Sequence, residues 1–279
     1  MSESENYYRV KEPVALLRIL TMKHSQETFK KFFIGICVFY VFTEWIPDIL
    51  GIIIPRTYFD VLPLEIKSQI PKGMEAQLSA PIISLVYILL MCGVFKLGRS
   101  LYLLTYLRNG TVEYPAIFEG FVFYLKATLL YIVESVIVAV GFVLMIVPGI
   151  IAQYSMRQAI YILADDPKKG VFKCISESIK MMQGNRMALF RLDVSYLLNI
   201  VIMSLPAMLV TGFVDVTELG GMILYLVLSI PIYIAYSYMY LGQVTFYELL
   251  ISHGFGNFRY SGEKVFREAK LNVPEIPGM

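Results

Sequence analysis

Four ionisable residues stand inside long apolar runs, and their types and depth define the chemistry open to this chain: Arg99, Glu134, Arg157 and Asp193. Arg99 lies eight residues before Leu107 and Arg157 seven before Ala164; Glu134 lies seven after Ala127 and Asp193 six after Met187. At a helical rise of about 1.5 Å per residue, each falls about 9–12 Å beyond the nearest polar boundary. Charges in hydrocarbon are expensive, roughly 3 kcal/mol each on insertion scales, so this layer is expected to face a bundle interior. Two cations and two carboxylates at one level can neutralise one another, and depth pairs Arg157 with Asp193 or Glu134. Two readings follow. The layer binds an anionic headgroup or conducts protons or ions; alternatively it is a polar clasp between helices, with some members snorkelling to the interface. Lipid binding or flux unchanged by Glu134→Gln and Asp193→Asn would remove the first reading.

Other chemistry has little support. The two histidines, His24 and His253, lie outside the apolar runs, so neither a serine–histidine dyad nor a histidine metal pair forms within them. A Walker A motif and the paired-histidine zinc-protease motif are absent from the sequence. Cys37, Cys92 and Cys174 are far apart and read as core thiols. Carboxylate-only chemistry at Glu134 and Asp193 is the one enzymatic reading left. The expectation is a non-enzyme with no cofactor and no metal. A second candidate surface is Lys168, Lys169, Lys173 and Lys180, where basic groups beside an anionic leaflet contribute about 1 kcal/mol each.

The elements that must position these residues follow from hydropathy. The 279 residues are 57% hydrophobic and 16% charged, with mean hydropathy +0.64, against about 25% charged in soluble domains. So much apolar surface requires lipid. Six segments are read: Phe32–Ile54, Ser79–Leu107, Ala127–Val147, the short Gly149–Ala164, Met187–Phe213 and Met222–Ile251. Pro148-Gly149 is the expected breaker of a helical hairpin. Asp165-Asp166-Pro167 is the expected start of an amphipathic helix over 166–183, with an apolar stripe of Val171, Phe172, Ile175, Ile179 and Met182. That stripe docks on the bundle, senses anionic lipid or holds a cytosolic protein partner. In the first segment, Glu44 and Asp48 share a face beside Trp45, which suits an outer interface or a polar groove.

The division is therefore a cytoplasmic arm over 1–31, a membrane domain over 32–251 and a cytoplasmic tail over 252–279. The arm is read as a solvated leader or a surface helix opened by Pro13, not a cleaved signal. Of 24 lysines and arginines, 21 fall on the side of the termini and only Arg56, Lys67 and Lys72 on the other. This asymmetry places both termini in the cytoplasm. A net charge of +2 with no single basic patch argues against nucleic acid.

Several motifs carry a family resemblance: IFEGF at 117–121, IVPGIIAQYSM at 146–156, ILADDP at 162–167, SESIKMMQGN at 176–185, LFRLDVSYL at 189–197 and PIYIAYSYMYLGQVTFYELL at 231–250. In these, the chain resembles the bacterial multi-pass membrane family catalogued as domain of unknown function 975, over about Pro115 to Leu250. The break, acidic-proline turn and surface helix are also similar to the membrane portion, not the catalytic domain, of some glycerophosphodiester phosphodiesterases. The resemblance implies an all-α bacterial plasma-membrane protein and brings no catalytic residues. The expected function is a non-catalytic scaffold or accessory protein that organises a partner or membrane lipid. The alternative is a small transporter or lipid-translocating protein that uses the buried charges.

Overall fold

The computed structural model describes residues 9–10, 14, 17–18, 21, 29–54, 57–67, 81–109, 115–214 and 219–252. Most of the arm and all of the tail beyond Ser252 lie outside these residues. Among the described residues, regular structure is helical apart from one isolated bridge, Thr57 with Pro81.

Helix α1 (Phe29–Tyr40) passes through a π-helical turn (Val41–Trp45) into α2 (Ile46–Ile53). The turn has a sequence cause. Pro47 has no N–H to give, and the Ile46 N–H bonds Val41 O in the wider register. Phe42 O, left without a backbone donor, accepts instead from the Tyr87 hydroxyl at 2.7 Å. Glu44 and Asp48 both emerge exposed, while Trp45 Nε1 donates to the Tyr233 hydroxyl at 3.1 Å. Two short helices follow, α3 (Tyr58–Val61) and α4 (Leu64–Lys67).

Helix α5 (Ile82–Asn109) is followed by α6 (Ala116–Glu119), a 3-10 turn (Gly120–Phe123) and α7 (Tyr124–Leu144). Here helices approach backbone to backbone. A Cβ at Gly98 would strike the Ile117 carbonyl, and one at Gly120 would strike Val94 O and approach Gly98 N to 2.9 Å. Small residues permit this contact.

The chain reverses at Met145, which is extended, and not at Pro148-Gly149 as expected. Helix α8 (Ile146–Met156) already contains that pair. Pro148 sits in its first turn, where a missing N–H leaves nothing unpaired. A Cβ on Gly141 would come within 2.9 Å of Gly149 Cα, so α8 folds back against α7. The expected fourth segment is two short helices, α8 and α9 (Ala159–Asp165), parted by a turn at 157–158.

The expected helix over 166–183 is also shorter. Asp166 Oδ1 accepts from Lys168 N at 3.1 Å and holds a turn through Pro167. Helix α10 (Val171–Met181) begins only after Gly170. Its buried face is Val171, Cys174, Ile175, Ser178 and Met181, continued by Met182, whereas Phe172 of the expected stripe is 72% exposed. Ser178 Oγ donates to Ser155 O and accepts from Gln158 N, fastening α10 to the end of α8. Gly184, at φ +81°, turns the chain into α11 (Arg186–Phe213). In the arm, Val10 N donates to Asn185 Oδ1 at 3.0 Å, and Arg18 stacks over the Tyr196 ring. Last is α12 (Leu219–Ile251), which runs through Pro231 along α11.

Five helical stretches are long and apolar enough to cross a membrane: Phe33–Gly51, Ile82–Arg108, Ala116–Leu144, Arg186–Phe213 and Ile223–Ile251. Only 17–33% of the most apolar window of each is buried inside the protein. Their surfaces expose many leucines, isoleucines, valines and phenylalanines, such as Leu85, Leu89, Val136, Phe142, Leu198 and Ile223, where a monomer in water normally shows such residues singly. Such an exterior fits a membrane protein.

Candidate functional site

Arg99, Glu134 and Arg157 all line one cavity of about 260 Å³, together with Lys96, Gln153, Tyr161, Tyr240 and Gln243. Helices α5, α7, α8, α9 and α12 supply the walls. Asp193, on α11, is one residue removed. Its Oδ1 accepts from Gln243 Nε2 at 2.9 Å and its Oδ2 from the Tyr154 hydroxyl at 3.1 Å. The pairing of Arg157 with Asp193 or Glu134 is not formed, because ion pairs among the described residues are Arg108–Asp165, Arg108–Glu248 and Lys169–Glu177. Depth alone does not fix which neighbour a side chain meets, and neutral donors reach Asp193 first. Arg157 follows the last residue of α8, and its side chain lines the cavity.

Arg99 is 8% exposed. Its guanidinium carbon lies 3.6 Å from the Tyr240 ring centroid and 4.6 Å from that of Phe39, and its Nε has no hydrogen-bond partner. Lys96 Nζ sits 4.4 Å over the Tyr131 ring. Glu134 Oε1 is buried without a partner, within the fields of Lys96 and Arg157. The cavity wall thus carries three cations and one carboxylate. Stacking a cation on an aromatic ring recovers about 0.5–2 kcal/mol, against roughly 2.5–3.5 kcal/mol for each charge held at membrane depth. The wall is short of negative charge.

Reading the sequence by depth missed Lys96, although its spacing of three from Arg99 places both on one face of a helix. It also missed Tyr240 and Gln243, which only the packing of α12 brings in. A second cluster had no signal at all. Arg108 Nη1 and Nη2 bond Asp165 at 2.5 and 3.1 Å, Arg108 Nε bonds Glu248 at 2.7 Å, and the Tyr247 hydroxyl donates to Asp165 at 2.7 Å. This clasp joins the ends of α5, α9 and α12.

Of the four lysines proposed as a lipid or partner surface, Lys168, Lys173 and Lys180 are exposed. Lys169 is engaged by Glu177 at 2.6 Å. Burial weighs against its charge, but the Glu177 hydrogen bond and field prevail and hold its pKa above the ordinary lysine value. Lys126 Nζ donates to Pro167 O at 2.6 Å and fastens this loop to α7. No group of three or more histidine, cysteine, aspartate or glutamate residues among the described residues could hold a metal ion.

Helix content, apolar exterior and a charged cavity among long helices define the class as a helical bundle fit for a bilayer. The family model described as "Protein of unknown function (DUF975)" matches residues 78–253, more than half of the chain, and the chain belongs to that family. The match takes in every helix from α5 to α12 and leaves out α1 to α4. Neither the curated proteins nor the solved structures give a match.

Proposed function

We propose that this is a multi-pass protein of a bacterial plasma membrane, with both termini cytoplasmic, that acts without catalysis to organise anionic lipid at the inner leaflet. In this reading the α8–α9 pair makes the sixth crossing, and α10 rests on the cytoplasmic surface. The observation that carries it is the composition of the α9–α10 segment. Lys168, Lys173 and Lys180 stay exposed beside the exposed ring of Phe172, while the opposite face of α10 is buried on the bundle. Basic groups around an apolar anchor suit a negatively charged membrane surface. The arm supports the sidedness, since Val10 and Arg18 meet Asn185 and Tyr196 at this same end.

Lipid retention tests the role. Protein extracted in native nanodiscs is expected to carry anionic lipid enriched over the bulk membrane, with most of the excess lost in the triple variant Lys168→Gln, Lys173→Gln, Lys180→Gln. An unchanged lipid profile in that variant would end this reading. For sidedness, a membrane-impermeant maleimide is expected to modify Glu65→Cys in intact cells and Gln183→Cys only after lysis; the reverse pattern inverts the topology. A small transporter or lipid-translocating protein is the second reading, favoured by the charged cavity, and flux across proteoliposomes that depends on Glu134 would decide for it.

A further inference from the structure

The cavity between α5, α7, α8 and α12 carries a surplus of fixed positive charge, and we infer that it is a binding site for a phosphate-type anion, either a phospholipid headgroup or free phosphate. Arg99 cannot shed its proton in a protein. Its aromatic neighbours, Phe39 and Tyr240, are neutral, and its Nε has nothing to donate to. Arg157 and Lys96 add charge to the same wall, and Glu134 is the one carboxylate lining it. Asp193 is outside the lining and makes no ion pair with these cations, its two oxygens accepting from Gln243 and Tyr154.

An anion settling between Arg99 and Arg157 supplies what the walls lack. A phosphate group suits guanidinium donors, which bind its oxygens in pairs, and the Tyr240 and Tyr161 hydroxyls and the Gln153 amide supply neutral donors around it. Gln153, on α8, is the one exposed residue of the lining and stands among exposed apolar neighbours such as Ile151. An amphiphile can therefore enter sideways from the bilayer with its chains left in lipid. The inference does not depend on the surface lysines, and of the two readings of the charge layer it takes anion binding over a polar clasp.

The test uses the full chain with Lys168, Lys173 and Lys180 already changed to glutamine, so that surface binding contributes nothing. It is placed in phosphatidylcholine nanodiscs, and thermal stability is followed in two arms. One arm titrates inorganic phosphate; the other replaces part of the phosphatidylcholine with phosphatidylglycerol. At least one arm is expected to raise the midpoint. Phosphate alone identifies a free anion as the ligand, and phosphatidylglycerol alone identifies a headgroup. Adding Arg99→Gln and Arg157→Gln is expected to weaken the response tenfold or more. Adding Glu134→Gln is expected to strengthen it several-fold, an opposite sign that a folding defect cannot produce. A midpoint indifferent to both probes, a response unaltered by the arginine changes, or a weaker response in Glu134→Gln would each overturn the site.

Discussion

Arg108→Met is expected to destabilise the protein by about 2–3 kcal/mol, measured by thermal or denaturant unfolding in detergent micelles. The figure is that for removing one partner of a hydrogen-bonded charge pair and leaving the other stranded. It is set toward the low end because the Arg108 side chain is 36% exposed, although that of Glu248 is only 9% exposed. The loss falls on three helix ends together, since Arg108 bonds Asp165 and Glu248 at once and Tyr247 depends on the same aspartate. Adding Glu248→Gln to Arg108→Met should recover part of the loss, because an amide is less costly to bury than a carboxylate without its cation. Such recovery shows coupling between the two positions. Stability equal to the parent protein in Arg108→Met would show that the clasp is only an exposed surface contact.

Gly98→Val should have a larger effect, about 3 kcal/mol or more. The first new carbon would strike the Ile117 carbonyl, and its next contact is with Ile117 C at 2.7 Å. Backbone cannot turn aside as a flexible side chain can, so α5 must move off α6 and α7, at the upper end of overpacking penalties. Gly212→Ala is the matching control. Nothing lies within 4 Å of the added carbon there, and helix propensity favours alanine over glycine. Thermal midpoints of the two variants in one detergent give the comparison; equal midpoints would mean that the α5 contact can open without loss. Because Lys96 and Arg99 flank Gly98, a shift of α5 also displaces two of the three cavity cations.

The legible part of the fold was the part set by composition along the chain. Long apolar runs marked all five helices now long enough to cross a membrane, with limits within a few residues for α5, α11 and α12. Boundaries set by local hydrogen bonding were less legible. Pro148 looked like a breaker, yet a proline in a first turn starts a helix as readily as it ends one. The Asp165-Asp166-Pro167 run looked like a cap, yet Asp165 is drawn to Arg108 and Asp166 to its own turn. Phe172 followed the apolar periodicity of α10, but the face that packs is centred on Cys174 and Ser178, where Ser178 bonds the end of α8.

The amino-acid sequence by itself determined that the chain is helical, that its apolar helices call for lipid, and that a few charges lie deep within them, because hydropathy and the rise per residue act along one dimension. Which charges meet was decided only by the tertiary structure. Lateral order places Gln243 and Tyr154 on Asp193 and two aromatic rings on Arg99, while Lys96 joins from the same helix face. Balance between opposite charges at one depth does not survive that ordering: ion pairing needs contact within a few ångströms, and neighbours in the plane of the membrane are set by packing between helices.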